Sequence, residues 1–152
     1  VSLTQYVFFA ISSVGTTADE ITQLLGVEPD ETTVRGSLTT SPHIIPFSHV
    51  WKVRCSEPGL RVDEQINLVI GRLQPCMVAL TNLTTRLATE EGAGGAILQV
   101  QRYFNRHDEQ STGSPDDTNL LGWHLDRAMV DFLTATGAEL GVDEFDMTSG
   151  DD

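Results

Sequence analysis

The chain has only two cysteines, Cys55 and Cys76, in 152 residues. Two thiols cannot build the multi-bridge framework of small secreted domains, nor the paired ligand sets of a zinc site. Its single lysine, Lys52, is joined by eight arginines scattered from Arg35 to Arg127. Cations so few and dispersed do not neutralise a run of phosphates, and no strand motif sets aromatics between basic residues. Nucleic acid is therefore not an expected partner. No apolar run approaches the ~20 residues of a membrane span, so no membrane partner is expected either.

What is present fits a globular domain: 39% hydrophobic residues and 20% charged. The length suits one domain over 1–152, with its core in about 6–145. The formal charge of −13 is uneven, because twelve acids face two bases from Asn105 onward, a net −10, against −3 before it. Such a face keeps a protein soluble and attracts basic partners. With two unframed cysteines and no basic, apolar leader ahead of Val1, the expected location is the cytoplasm, although Val1 leaves room for residues upstream.

Residues 6–12 are aromatic and β-branched and read as a central strand. Thr17 and Glu20 form a capping-box pattern for a helix burying Ile21, Leu24 and Leu25, and Gly26 ends it ahead of Pro29. Residues 28–48 are polar, with Pro42 and Pro46, and read as a long loop; Ile44 and Ile45 offer the one anchor for a brief edge strand. Residues 50–55 alternate, with Trp51, Val53 and Cys55 to the core and Lys52 and Arg54 to water. Val62, Ile66, Val69, Ile70 and Leu73 recur at helical spacing, Pro75 breaks the helix, and a second segment runs to about Thr89. After the glycines around Ala93, residues 96–104 form a strand with Leu98, Val100 and Phe104 on one face. Residues 105–118 lack apolar period and read as a surface loop. Leu125, Ala128, Met129, Phe132 and Leu133 mark a last helix closed by Gly137, followed by a strand over 140–145 and a loose acidic tail over 146–152. Ten side chains are expected in the core: Phe9, Ile21, Leu24, Trp51, Val53, Ile66, Leu73, Val100, Phe132 and Leu133.

The order predicts an α+β fold, a two-layer sandwich with a four- or five-stranded, mainly antiparallel sheet and helices mainly on one face. Ferredoxin-like topology is the first expectation, and the long helical connection between its middle strands fits it least. The run from Asp19 to Pro29, then Arg35-Gly36, Trp51-Lys52-Val53, Leu73-Gln74-Pro75 and the run from Gly137 to Phe145 follow a recognisable order and spacing. Over about 6–145 the chain resembles the bacterial domain of unknown function 4279 family. That resemblance implies a small α/β domain with no established activity, cofactor or catalytic residue. The chain departs from the pattern in the length of 105–118 and at Glu144, where an apolar strand residue is more usual. An acid there suits an edge strand, or one with a face to water.

Candidate sites are sparse. His43, His49 and Cys55 match no zinc spacing, so no metal is expected, and nothing calls for a cofactor. Cys76 reads as a buried thiol. The glycines around Ala93 follow a helix and precede a strand, the wrong order for a phosphate cradle. Residues 14–17 are the better anion candidate, though Asp19 and Glu20 already complement that helix end. Arg35, Lys52 and Arg54 are placed either to contact a small carboxylate or phosphate or to pair with the protein's own acids. Trp123 and His124 at a helix start are candidates to line a cleft with His49 and Trp51.

No Gly-x-Ser-x-Gly elbow or matched nucleophile and base is present. The expected function is thus non-enzymatic binding of a small molecule or a basic protein, with oligomeric state left open. One alternative is an acidic, immunity-type antagonist of a basic toxin, steered by the −10 region. Another is a small enzyme built on His49, Trp51, Trp123 and His124 with Asp126 or Asp143.

Overall fold

The structure, a computed structural model, describes residues 2–38, 44–92, 94–105 and 121–147. The elements run β1 (Ser2–Ser13), α1 (Ala18–Leu25), β2 (Glu31–Thr33), β3 (His49–Cys55), α2 (Val62–Leu73), a 3-10 turn (Gln74–Cys76), α3 (Met77–Leu87), β4 (Gly95–Asn105), α4 (Arg127–Thr136) and β5 (Glu139–Met147). Among the described residues the sheet has five strands in the order β2-β3-β1-β4-β5. Every pairing is antiparallel except β4 with β5, which run parallel. The first four strands therefore have βαββαβ connectivity in the ferredoxin-like order, and α4 adds β5 beside β4 as a parallel crossover. The long middle connection fits because Pro75 splits it into α2 and α3, joined by the 3-10 turn.

Strand alternation sorts β1 cleanly. Val7, Phe9 and Ile11 are wholly buried and join Trp51, Val53, Leu98 and Val100 against the apolar sides of all four helices. Tyr6, Phe8 and Ala10 turn to the opposite face. Eight of the ten expected core residues are buried. Leu133 is only partly buried. Leu24 is 50% exposed, because α1 seats itself on Ala18, Ile21 and Leu25, and Leu24 lies outside that narrow stripe.

Both helix-end signals act as their chemistry dictates. Thr17 and Glu20 exchange capping-box hydrogen bonds, and Gly26 and Gly137 close α1 and α4 at φ 65° and 62°. Gly94 is required for a different reason: a Cβ there would lie 2.5 Å from the Leu87 carbonyl oxygen and 2.8 Å from Glu90 Cβ. The neighbouring Glu90 carboxylate accepts from the Ser13 hydroxyl at 2.9 Å and the Val14 N–H at 3.2 Å, tying the end of α3 to the end of β1.

Four expectations change. The short edge strand forms at Glu31–Thr33, through backbone pairing with β3, while Ile44 and Ile45 are each 63% exposed. Helix α3 stops at Leu87. Asp146 and Met147 belong to β5 and not to a tail. Asn105 ends β4, and the rest of the expected 105–118 loop lies outside the described residues, as do 148–152.

Candidate binding face

The sheet face away from the helices carries a row of aromatic rings crossing three strands. Tyr6 stacks on Phe8 at 6.3 Å between centroids and on Tyr103 at 6.2 Å, and Tyr103 stacks on Phe145 at 4.8 Å with planes 13° apart. The rings meet because Tyr6 and Phe8 share the parity of Tyr103 on β4, which sits directly beside Phe145 on β5. Gln101 accepts hydrogen bonds from the hydroxyls of Tyr6 and, at 3.3 Å, Tyr103. Burial first, and the Tyr103 hydroxyl second, push the Tyr6 phenol up to about 12, so it stays a neutral donor at physiological pH.

Strand β3 supplies the cations beside this row. The Lys52 ammonium lies 4.3 Å from the Phe8 ring centre and 3.5 Å from Glu31, and the Arg54 guanidinium lies 5.9 Å from the Tyr6 ring centre. Asp30 holds the adjacent corner, accepting from the Arg54 backbone N–H at 2.6 Å and from the Arg72 guanidinium. Partial burial opposes its charge, but Arg72 and the Arg54 N–H outweigh that and hold the carboxyl below its ordinary 3.8. A depressed folded pKa stabilises above the unfolded value and loses that contribution as pH falls through the folded one. Asp30→Asn should therefore cost about 1 kcal/mol or less at neutral pH, as exposed pairs do. Its deficit against wild type should shrink below pH 4 in urea titrations.

The other residues singled out by sequence do not converge. Trp51 is wholly buried with its indole N–H donated to Thr22 Oγ1 at 3.1 Å, so it supports the sheet and touches no solute. Arg35 and His49 sit at one end of the sheet, where His49 Nδ1 accepts the Arg35 N–H at 3.1 Å and the Arg35 guanidinium donates to the Val14 carbonyl at 3.3 Å. Trp123 packs partly buried against the core, and the exposed His124 lies 3.9 Å from Asp63 at the start of α2. His49 pairs with Ser13, whereas the start of α2 lies beside Gln5, eight residues back along β1 and roughly 26 Å away. No single cleft can hold both histidines.

The N–H groups at 14, 16 and 17 are taken by Glu90, Ser13 and Glu20 respectively, leaving capping as the role of that helix start. No group of three or more His, Cys, Asp or Glu able to hold a metal comes together among the described residues, and His43 lies outside them. Cys55 and Cys76 are free thiols; burial pushes the Cys76 thiol up and keeps it protonated.

The aromatic row is what sequence reasoning missed. Residues 6–12 are apolar at both parities, which suits a strand covered on both faces, and nothing local announces that one face stays open. The available signal was that Tyr6, Phe8 and Tyr103 all alternate with core positions.

A family model described as "Domain of unknown function (DUF4279)" matches residues 3–147 of the chain. No curated protein and no solved structure matches it.

Proposed function

We propose that this chain, which belongs to the DUF4279 family, is a non-enzymatic binding domain of the bacterial cytoplasm that holds a protein partner on its open sheet face. The observation carrying this reading is the row Phe8, Tyr6, Tyr103 and Phe145 beside Lys52 and Arg54. Aromatic residues and arginine are the side chains that dominate protein interfaces. The two free thiols agree with a reducing compartment.

Nucleic acid is a poor match, although folding does set aromatics beside Lys52 and Arg54 in a way the sequence conceals. Phosphate contacts need several clustered cations, and this face carries two, Lys52 and Arg54, with the acids Glu139 and Asp143 across the same face. A low-salt anisotropy titration should show no complex with single-stranded DNA or RNA at micromolar protein. Binding that weakens steeply with salt would contradict this.

A second reading, the acidic antagonist of a basic toxin, draws on β5. It is an edge strand bearing Glu139, Asp143, Glu144 and Asp146, to which a basic strand could add.

The test is affinity capture from bacterial lysate, comparing wild type with Tyr103→Ala/Phe145→Ala after circular dichroism establishes that both fold. The proposal expects a protein held by wild type and lost by the variant. Equal retention would contradict it.

A further inference from the structure

The sheet register places unlike charges at opposite ends of the same cross-strand rows. Lys52 pairs with Ala10, Ala10 with Ile97, and Ile97 with Glu139; one row on, Arg54 pairs with Phe8, Phe8 with Gln99, and Gln99 with Gly141. Asp143 occupies the next row, opposite Gln101, which pairs with Tyr6. All these side chains share the open face by parity. Cations thus stand on β3 and acids on β5, three strand spacings or ~14 Å apart, with the aromatic row between and below them.

This pattern is self-complementary. A two-fold axis running along the strands midway between β1 and β4 lays β3 of one copy over β5 of the other. By the same rotation it lays β5 over β3. Lys52 then faces Glu139 of the partner subunit, and Arg54 falls between Glu139 of the partner subunit and Asp143 of the partner subunit. The aromatic rows meet at the centre as an apolar core with a charged rim.

We propose that the occupant of the open face is a second copy of this chain, in a face-to-face dimer. The inference rests on the protein-binding reading above and names its partner. A uniformly basic partner would meet repulsion from Lys52 and Arg54, and a uniformly acidic one from Glu139 and Asp143. A partner carrying both signs in inverted order meets neither, and this face is such a partner. Existing contacts leave these charges available. Lys52, whose side chain is 21% exposed, lies over the Phe8 ring and shares a surface pair with Glu31, while the exposed Arg54 lies over the Tyr6 ring and makes no salt bridge among the described residues. Asp143 is exposed and accepts one hydrogen bond, from Gln99 at 3.0 Å.

Sedimentation equilibrium of the full chain tests this. Wild type should show twice the 16.6 kDa chain mass at high concentration and dissociate on dilution. Lys52→Glu/Arg54→Glu and Glu139→Lys/Asp143→Lys should each weaken the dimer by about 100-fold or more, because like charges then oppose one another. Mixed in equal amounts, the two variants should restore a heterodimer, since each swapped face complements the other. Phe145→Lys, at an exposed edge-strand position, should break the dimer without rescue by either swap.

A wild type that stays monomeric throughout overturns the dimer. So does a dimer that survives both swaps, or a pair of folded variants that do not recombine. The broader protein-binding reading fails separately, when wild type stays monomeric and Tyr103→Ala/Phe145→Ala also retains the same captured proteins as wild type.

Discussion

Trp51→Ala should lower the unfolding free energy by about 3–5 kcal/mol, the range for removing a large aromatic from a packed core. The indole is wholly buried at the middle of β3, between two strands that fix the backbone on either side. Neighbours on a paired strand cannot shift far to fill the space, so most of the cavity would persist. The Thr22 hydroxyl would also lose the N–H it accepts at 3.1 Å. Trp51→Phe keeps the ring contacts and loses that hydrogen bond and part of the volume, so it should cost roughly half as much. Urea unfolding with an unchanged slope would separate this loss from a change in the unfolded chain.

Arg102→Leu should be nearly as damaging, at about 3 kcal/mol, although it removes a charge from the interior. Arg102 is 4% exposed on the core side of β4. Its guanidinium donates to Gln5 Oε1 at 3.1 Å, to Glu144 at 2.9 Å and to the Leu121 carbonyl at 3.2 Å. Leucine would fill part of the space but would strand the buried Gln5 oxygen. Gln5 also receives at its backbone carbonyl the Gln65 amide, whose own Oε1 is buried with no hydrogen-bond partner among the described residues. This layer has little tolerance for a further lost bond. Glu144→Gln should cost less, about 1–2 kcal/mol, because that side chain is half exposed and its amide oxygen still accepts from the buried Arg102. Comparing the two substitutions shows whether the buried hydrogen bonds or the ion pair hold β4 to β5.

These residues also mark how far the sequence can be read. The capping pair Thr17 and Glu20, the stop at Gly26 and the alternation of Trp51 and Val53 with Lys52 and Arg54 are local signals, and the fold obeys them. Pro75 predicts the break between α2 and α3 by the same logic. Glu144 points to an edge strand, and β5 is one. Strand β2 was misplaced because Glu31-Thr32-Thr33 has no apolar period; only pairing with β3 makes it a strand. Arg102 passes unnoticed between Val100 and Phe104 because a charge in a core register looks like an exposed residue until its partners from β1 and β5 are known. The aromatic row on the open face is hidden for a related reason. Tyr6, Phe8, Tyr103 and Phe145 are spread over 140 positions, and only the antiparallel register of β1 with β4 and the parallel register of β4 with β5 brings them side by side. Lys52 and Arg54 were visible as candidates, but not the rings they cover.

Hydroxyl-radical footprinting read by mass spectrometry tests most directly whether the open face is the binding surface. Tyr103, Phe145 and Met147 lie on that face, and Val78 and Leu24 are exposed on the helical layer at 78% and 50%. Raising the protein concentration from low micromolar to near millimolar should protect the first group from oxidation and leave Val78 and Leu24 unchanged. Protection of the helical side chains with Tyr103, Phe145 and Met147 still fully oxidised would contradict the account.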